Sequence, residues 1–311
     1  MLELLIKRLV QLLLVIWSVG TLTFVLTYNL PGDMAYRIAA SRYGYDQTNA
    51  AAAELVRAEL GLDQSWWQSY FGWFVDLLQL NLGKSLVSGE SVWVEVQHQF
   101  GHTLNLALVA LLISAIIAPP IGLWLAGKTG SIADRVSLGI SIVIRSLPVF
   151  IIGILFISVF AVKLQWLPAA GYGSWQHFIL PALTLATGLT AIAVRVSRQA
   201  MIAVANSQYY HHAKLKGLSH WQRFYRHGLR NVAIPIIAYH SVQLIYLIEG
   251  VVIVETLFAW PGSGHALVHA VIARDIPLIQ GTALVMGVLF VLLNLCVDML
   301  SSLIDPRIDE P

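Results

Sequence analysis

The residues Gly122–Thr129 read GLWLAGKT and satisfy G-x-x-x-x-G-K-T, the pattern of a phosphate-binding loop. That chemistry needs a strand before the pattern and a helix after it, with glycines that let backbone amides wrap a phosphate. Here the preceding residues are LALVALLISAII and Ala118-Pro119-Pro120, an apolar helix-forming run. Leu123-Trp124-Leu125 would crowd a phosphate out, and no acid-ended apolar strand follows to hold magnesium. The match predicts no nucleotide site. Lys128 reads instead as an anchor at the end of a membrane span.

Histidines offer the next chemistry. His98 and His102 stand four apart, as do His265 and His269, so on a helix each pair shares a face. Two imidazoles are fewer than a stable metal site normally uses, so neither pair is assigned a metal. Transient handling of a metal ion would need less than a full ligand set. No Ser/His/Asp arrangement, no H-E-x-x-H motif and no paired carboxylates on one helical face occur, which argues against an enzyme. The single cysteine, Cys296, cannot form an internal disulfide.

These groups sit in a chain that is 57% hydrophobic and 12% charged, against about 25% charged for a soluble domain. So few charges could not solvate a globular surface, and the mean hydropathy of +0.71 agrees. The composition predicts an all-α integral membrane protein. Spans need about 20 apolar residues, and six segments qualify: roughly 9–28, 103–127, 136–162, 179–200, 234–258 and 280–303. The first is too long for a signal peptide and lacks a small-x-small cleavage site, so it is read as a retained helix. The regions are then a first helix (1–28), a long outer region (29–102), a five-helix core (103–303) with a loop at 201–233, and a tail (304–311).

Charge orients the spans. Segment 195–231 carries seven basic residues and no acid, whereas 29–102 carries four basic residues and eight acidic ones. Basic residues near span ends stay in the cytoplasm, which places both termini, the 128–135 turn and the 195–233 loop inside. In the outer region, TNAAAAELVRAEL (48–60) is a helix-forming run with Thr48 as cap candidate. The aromatic stretch WWQSYFGWFVDLLQLNL (66–82) reads as an interfacial helix or a substrate-contacting lid.

Four ionisable residues fall within spans: Arg145, Glu249, Glu255 and Asp298. Charges at membrane depth usually face a bundle interior or a wet path. Glu249 and Glu255 are the candidates for a translocation path, with backbone satisfaction as the alternative for Glu255. Arg145 and Asp298 are read as snorkelling residues. In span four, Thr184, Thr187, Gly188 and Thr190 suit close helix packing. The loop NSQYYHHAKLKGLSHWQRFYRHGLRNVAIP (206–235) divides into two helical pieces at Gly217-Leu218-Ser219, with Gly217 ending one and Ser219 capping the next. Trp221, Phe224 and Tyr225 make an apolar face that either packs on the protein's own helices or lipid, or docks a soluble partner.

The run Tyr209-x-x-x-Ala213-x-x-Lys216-Gly217-Leu218, with Arg226-His227-x-Leu229-Arg230-Asn231 and Ile234-Pro235, resembles the coupling loop of bacterial ABC importer permeases of the dipeptide, oligopeptide and nickel family. The resemblance extends through Leu30-Pro31-Gly32-Asp33, Leu60-Gly61-Leu62-Asp63-Gln64, Leu82-Gly83-x-Ser85, Ser146-Leu147-Pro148, Leu180-Pro181-Ala182, Glu255 with Phe258-Ala259-Trp260-Pro261-Gly262, and Asp305-Pro306-Arg307. It implies a type I importer permease of six transmembrane helices in a bacterial inner membrane. The implied partners are a second permease subunit, two ATPase subunits and a periplasmic solute-binding protein, within membrane lipid and without nucleic acid. This chain would bind no cofactor; ATP and magnesium would sit on the ATPase subunits. Tyr209, His211, His212, Ala213, Lys216, Gly217 and Leu218 would form the coupling segment. The family often has an acid where His211 stands, and more often Gly-Gly where Glu249-Gly250 stands. The segment around Trp166–His177 resembles the nickel members slightly more than the peptide members. An ion-coupled secondary transporter would account for Glu249 and Asp298, but it predicts inverted repeats and leaves the basic loop without a purpose.

Overall fold

A computed structural model describes residues 2–29, 31–44, 46, 48–60 and 65–304, leaving out the side chains of 2–5, 60, 246, 248–250 and 300–304. Leu30, Gly61-Leu62-Asp63-Gln64 and Asp305-Pro306-Arg307 therefore lie outside the described residues, as does the side chain of Glu249. The elements are helices: α1 (Leu2–Tyr28), α2 (Met34–Tyr43), α3 (Ala50–Leu60), α4 (Trp66–Leu78), α5 (Val92–Ala126), α6 (Ile132–Ser146) and α7 (Val149–Phe156). They continue as α8 (Trp175–Ala205), α9 (Gln208–Leu215), α10 (His220–Arg223), α11 (Leu229–Gly250), α12 (Val252–Leu257), α13 (Ser263–Ala273) and α14 (Ile276–Ile304). Wider π-helical turns extend α7 over Ile157–Lys163 and join α10 to α11 over Phe224–Gly228. Among the described residues the strand content is one isolated bridge, Lys84 to Ser91.

Four described helices are long and apolar enough to cross a membrane: Ile6–Tyr28, Val92–Ala126, Trp175–Ala205 and Ile276–Met299. The predicted third span, 136–162, is not one straight helix. It is α6 and α7 with its extension, bent by 102°. The cause is local: Pro148 has no N–H, and the residue before a proline is driven out of the helical region. Leu147 accordingly sits at ψ 132°. Counted as one span, the bent pair makes a fifth. The predicted fifth span, 234–258, is divided at Val251 into α11 and α12.

The chain divides into two compact units, Met1–His102 with Pro261–Leu293, and Thr103–Trp260 with Asn294–Pro311. In the first, Asp33 caps α2 by accepting the Ala35 and Tyr36 N–H groups and pairs with Arg57 of α3 at 2.8 Å. Ala35, Ile38, Ala39, Ala53 and Val56 close the space between α2 and α3. The cap of α3 is Asn49, whose Oδ1 accepts the Ala52 N–H at 2.9 Å; the Thr48 hydroxyl turns back to the Gly44 carbonyl instead. The aromatic helix α4 packs Trp66, Tyr70 and Trp73 around Phe24 of α1, and the Tyr70 and Thr21 hydroxyls share a hydrogen bond of 3.0 Å. Gly20 makes this approach feasible, since a Cβ there would lie 2.5 Å from the Trp73 ring. Trp67, Phe71, Val75 and Leu78 form the opposite, exposed apolar face.

A corner of the same unit collects polar groups around one carboxylate. Asp275 is buried and accepts the Ser85 hydroxyl and the Leu86 N–H. Its neighbour Arg274, left-handed at φ 59°, donates to the Pro31 and Gly32 carbonyls. Val92, Val96 and Phe100 of α5 pack with Leu278 and Ile279 of α14 and Ala270 of α13.

The second unit is organised by α5 against α8. Gly122 touches α8 so closely that a Cβ would stand 2.6 Å from both Ser197 Cβ and the Val194 carbonyl oxygen and 2.8 Å from the Arg198 nitrogen. Ala118, Leu125, Ala193 and Val194 fill the seam. Below it, Arg198 forms a forked pair with the buried Asp134, Nε to Oδ1 at 2.5 Å and Nη2 to Oδ2 at 2.8 Å. The Gly130 N–H adds a third donor to that carboxylate. Two outcomes follow. Gly122→Ala should lower the melting temperature of the purified protein, costing about 3 kcal/mol because two of the three neighbouring atoms are backbone and the third, Ser197 Cβ, is fixed to it; Gly139→Ala, with nothing within 4 Å of its Cβ, should not. Asp134→Ala should lower the melting temperature by stranding Arg198, read by the same thermal melt, while Glu90→Ala at an exposed position should leave the melt unchanged.

Candidate functional site

The loop that follows α8 is built with little freedom. Helix α9 ends in two hydrogen bonds, Gly217 N–H to the Lys214 carbonyl at 3.1 Å and Leu218 N–H to the Ala213 carbonyl at 3.3 Å. This is the paired ending that requires a left-handed residue after the helix, a position glycine takes without steric cost. Gly217 is at φ 79°. Helix α10 then starts from Ser219, whose side chain accepts the Gln222 N–H while its own N–H goes to Gln222 Oε1 at 3.0 Å. The two-piece reading of this segment therefore has its structural counterpart in one glycine and one reciprocal cap.

Tyr210 and Ala213 are the buried face of α9. Tyr210 seats it on Ala200, Met201 and Val204 of α8 and on Val232 of α11, with Phe224 packed at the side. Tyr209, His211, His212, Lys216 and Gly217 are exposed, and Leu218 is half-buried. The predicted aromatic stripe divides: Phe224 turns inward, whereas Trp221 and Tyr225 stack at 6.0 Å on the exposed side. Next to α9 lies a cleft of about 620 Å³ lined by Tyr210, His211, Lys214, His220, Trp221 and Arg223, over a floor from α5 and α8. Sequence reasoning missed two residues that hold this region in place, Asp134 and Arg198. The available signal was an acid standing alone in the basic 128–135 turn.

The intramembrane carboxylates fare differently. Glu255 is completely buried on α12 and accepts a hydrogen bond from the buried Thr103 hydroxyl at 2.6 Å. Its backbone carbonyl receives the Trp260 N–H at 2.8 Å, and Trp260 stacks edge-on against Tyr172 and Phe178. Glu249 lies in the last turn of α11. Arg145 is exposed in the last turn of α6, and Asp298 is half-buried on α14. A polar pair not singled out from sequence lies between α5 and α11, where buried Ser114 and His240 Nε2 are 3.3 Å apart. Thr184, in contact distance of a Cβ built at Gly153, and Thr187 turn their hydroxyls back to the Leu180 and Leu183 carbonyls, so both serve helix packing.

Each histidine pair is a true neighbour pair. The rings of His98 and His102 are 4.6 Å apart, and those of His265 and His269 are 4.5 Å apart. Burial, and then the charge of His269, hold the His265 imidazole below its ordinary pKa of 6.5. Among the described residues no group of three or more His, Cys, Asp or Glu side chains is placed to hold a metal ion.

Comparison with known proteins fits this architecture. Residues 118–310 match the "Binding-protein-dependent transport system inner membrane component" family, and residues 1–107 match its N-terminal companion. The glutathione transport system permease protein GsiC of Escherichia coli is 37% identical over 308 residues, covering 99% of both chains, and the Shigella dysenteriae protein of the same name is equally similar. Among solved structures, the inward-facing MetNI methionine ABC transporter aligns with a TM-score of 0.53 at 16% identity, over 68% of this chain and 96% of that one. An amino acid ABC transporter with histidines aligns at 0.52 over 67% and 92%. The last two show a shared fold. With both halves of the sequence matched and its helices arranged on the same fold, the chain belongs to the binding-protein-dependent inner-membrane permeases of ABC importers, in the dipeptide, oligopeptide and nickel branch.

Proposed function

We propose that this chain is one of two unlike permease subunits of an importer for a short peptide of the glutathione type, working in a bacterial inner membrane with both termini in the cytoplasm. In this reading six spans, including the bent third and divided fifth, form half of a path. Two ATPase subunits bind ATP and magnesium below it, a periplasmic solute-binding protein delivers substrate above it, and this chain itself binds no cofactor. The reading of substrate rests on the glutathione permeases at 37% identity along nearly the whole chain.

The observation that carries the coupling role is the glycine-ended, internally seated helix α9. Tyr209 and His212 lie on its exposed side with Lys216 just past its end, and Tyr210 is packed into the core, so a push on α9 is delivered to α8 and α11. Gly217 and Leu218 stop the helix, and His211 lies at the edge of the cleft. Glu249 is assigned to the path. Glu255, held by Thr103, is assigned to fixing the corner at Phe258-Ala259-Trp260 beside it. A nickel substrate is the second reading, favoured by the two close histidine pairs.

Two measurements test this. Gly217→Val forces a β-branched residue into left-handed backbone at a cost of roughly 1–2 kcal/mol, so ATPase retention and substrate uptake should fall roughly tenfold. Gly217→Asn, which tolerates that conformation, should keep most of both. Retention unchanged in Gly217→Val sinks the coupling role. For substrate, proteoliposomes holding the assembled transporter and its binding protein should take up glutathione or a dipeptide in the presence of a metal chelator. Uptake of nickel alone would replace the peptide reading with the metal one.

A further inference from the structure

The cleft beside α9 carries chemistry that coupling does not use. Four cationic or titratable basic side chains line it, His211, Lys214, His220 and Arg223, and no acid does. Two donors there are unmet: the Tyr210 hydroxyl, on a residue 5% exposed, and Arg223 Nε are both buried without a hydrogen-bond partner. The Arg223 guanidinium stands over the Tyr210 ring at 5.4 Å, so both residues belong to one wall of the cleft. Buried donors without partners are costly, and a pair of them inside a basic cleft is what an anion would satisfy.

The remaining lining is apolar and aromatic: Leu123, Trp124, Met201, Trp221 and Phe224. Trp124 also lines a second groove of about 510 Å³, almost wholly apolar, between α5, α6 and α8. That groove follows α5 from Ile113 to Leu125, which at 1.5 Å per residue is roughly 18 Å. Lys128 sits 4.2 Å over the Trp124 ring, marking the headgroup level by its charge. A basic, donor-bearing cleft joined by one tryptophan to a long apolar groove has the polarity of a phospholipid. Basic pockets at the cytoplasmic ends of spans are known takers of anionic headgroups.

We propose that this cleft binds the phosphate-bearing headgroup of an anionic phospholipid, with an acyl chain laid past Trp124 into the apolar groove. Phosphate oxygens accept from the Tyr210 hydroxyl, Arg223 and Lys214. The lipid thereby occupies the 210/211/214 side of α9 and leaves Tyr209, His212 and Lys216 on the other side. The inference rests on the placement of this loop at the inner membrane face given above. It differs from the coupling role in its ligand, and the two share only His211 at the edge of the cleft.

The test uses the complete transporter, purified with its ATPase subunits and exchanged into nanodiscs of phosphatidylcholine with a minor fraction of phosphatidylglycerol. Bound lipids are counted by native mass spectrometry. Wild type should retain phosphatidylglycerol over phosphatidylcholine. Lys214→Gln with Arg223→Gln should lower that retention about 25-fold, the effect of two charges near the membrane surface. Tyr210→Phe removes only a hydroxyl that has no protein partner, so its melting temperature should stay unchanged while retention falls about tenfold. Retention equal to wild type in both variants overturns the proposal. So does loss of ATPase subunits in the double variant with lipid retained, which would assign the cleft to an acidic segment of that partner. Displacement of the lipid by inorganic phosphate alone would also overturn it, identifying a free-anion site. Failure of the coupling role would appear separately, as unaltered ATPase retention in Gly217→Val.

Discussion

The second unit depends on the closeness of α5 to α8 at Gly122. A seam this tight leaves no room for any side chain atom beyond hydrogen, so dispersion contacts accumulate along Ala118, Leu125, Ala193 and Val194. The Asp134–Arg198 fork then fixes the rotation of α8 about that seam. A buried pair of this kind stabilises only when its geometry is good and its lone pairs are satisfied. Here the forked guanidinium and the Gly130 N–H meet that requirement. Because α8 leads within three residues into α9, the position of the loop is inherited from this contact.

The first unit solves a similar problem with a single carboxylate. Asp275 gathers the Ser85 hydroxyl and backbone donors of the Leu86 turn, while Arg274 reaches the carbonyls of Pro31-Gly32. Residues more than 240 positions apart are thus joined through backbone groups. This explains physically why Pro31-Gly32-Asp33 and Gly83-x-Ser85 stand as landmarks in the sequence. One needs φ of 105° at Gly32 beside a guanidinium, and the other needs a small hydroxyl within reach of a buried acid. Both motifs hold an irregular region in one conformation.

Membrane burial gives the polar residues their roles. Glu255 with Thr103, and His240 with Ser114, are pairs in which each partner relieves the other's desolvation. Their hydrogen bonds tie α12 and α11 to α5, the helix that also carries Gly122. A lipid held beside α9 would place the surrounding membrane in contact with the loop that α8 leads into.

Much of this protein could be read from residue order alone. Composition decides for the membrane because there are too few charges to cover a surface, and a left-handed glycine followed by a serine–glutamine box is a local signal that survives in any context. The helical pieces around Gly217 and Ser219, the basic loop and the dismissal of GLWLAGKT as a nucleotide site are legible for that reason. The bend at Leu147-Pro148 was present as a proline, but its 102° angle was not. The partition of Trp221, Phe224 and Tyr225 between inside and outside, the cap at Asn49 rather than Thr48, and the pairing of Asp134 with Arg198 were likewise decided only in three dimensions. Each depends on which atoms arrive from distant parts of the chain, and spacing along a helix carries no information about those arrivals. Gly122 shows the difference most directly: its letters suggested a phosphate, and its neighbours made it the point where two helices touch.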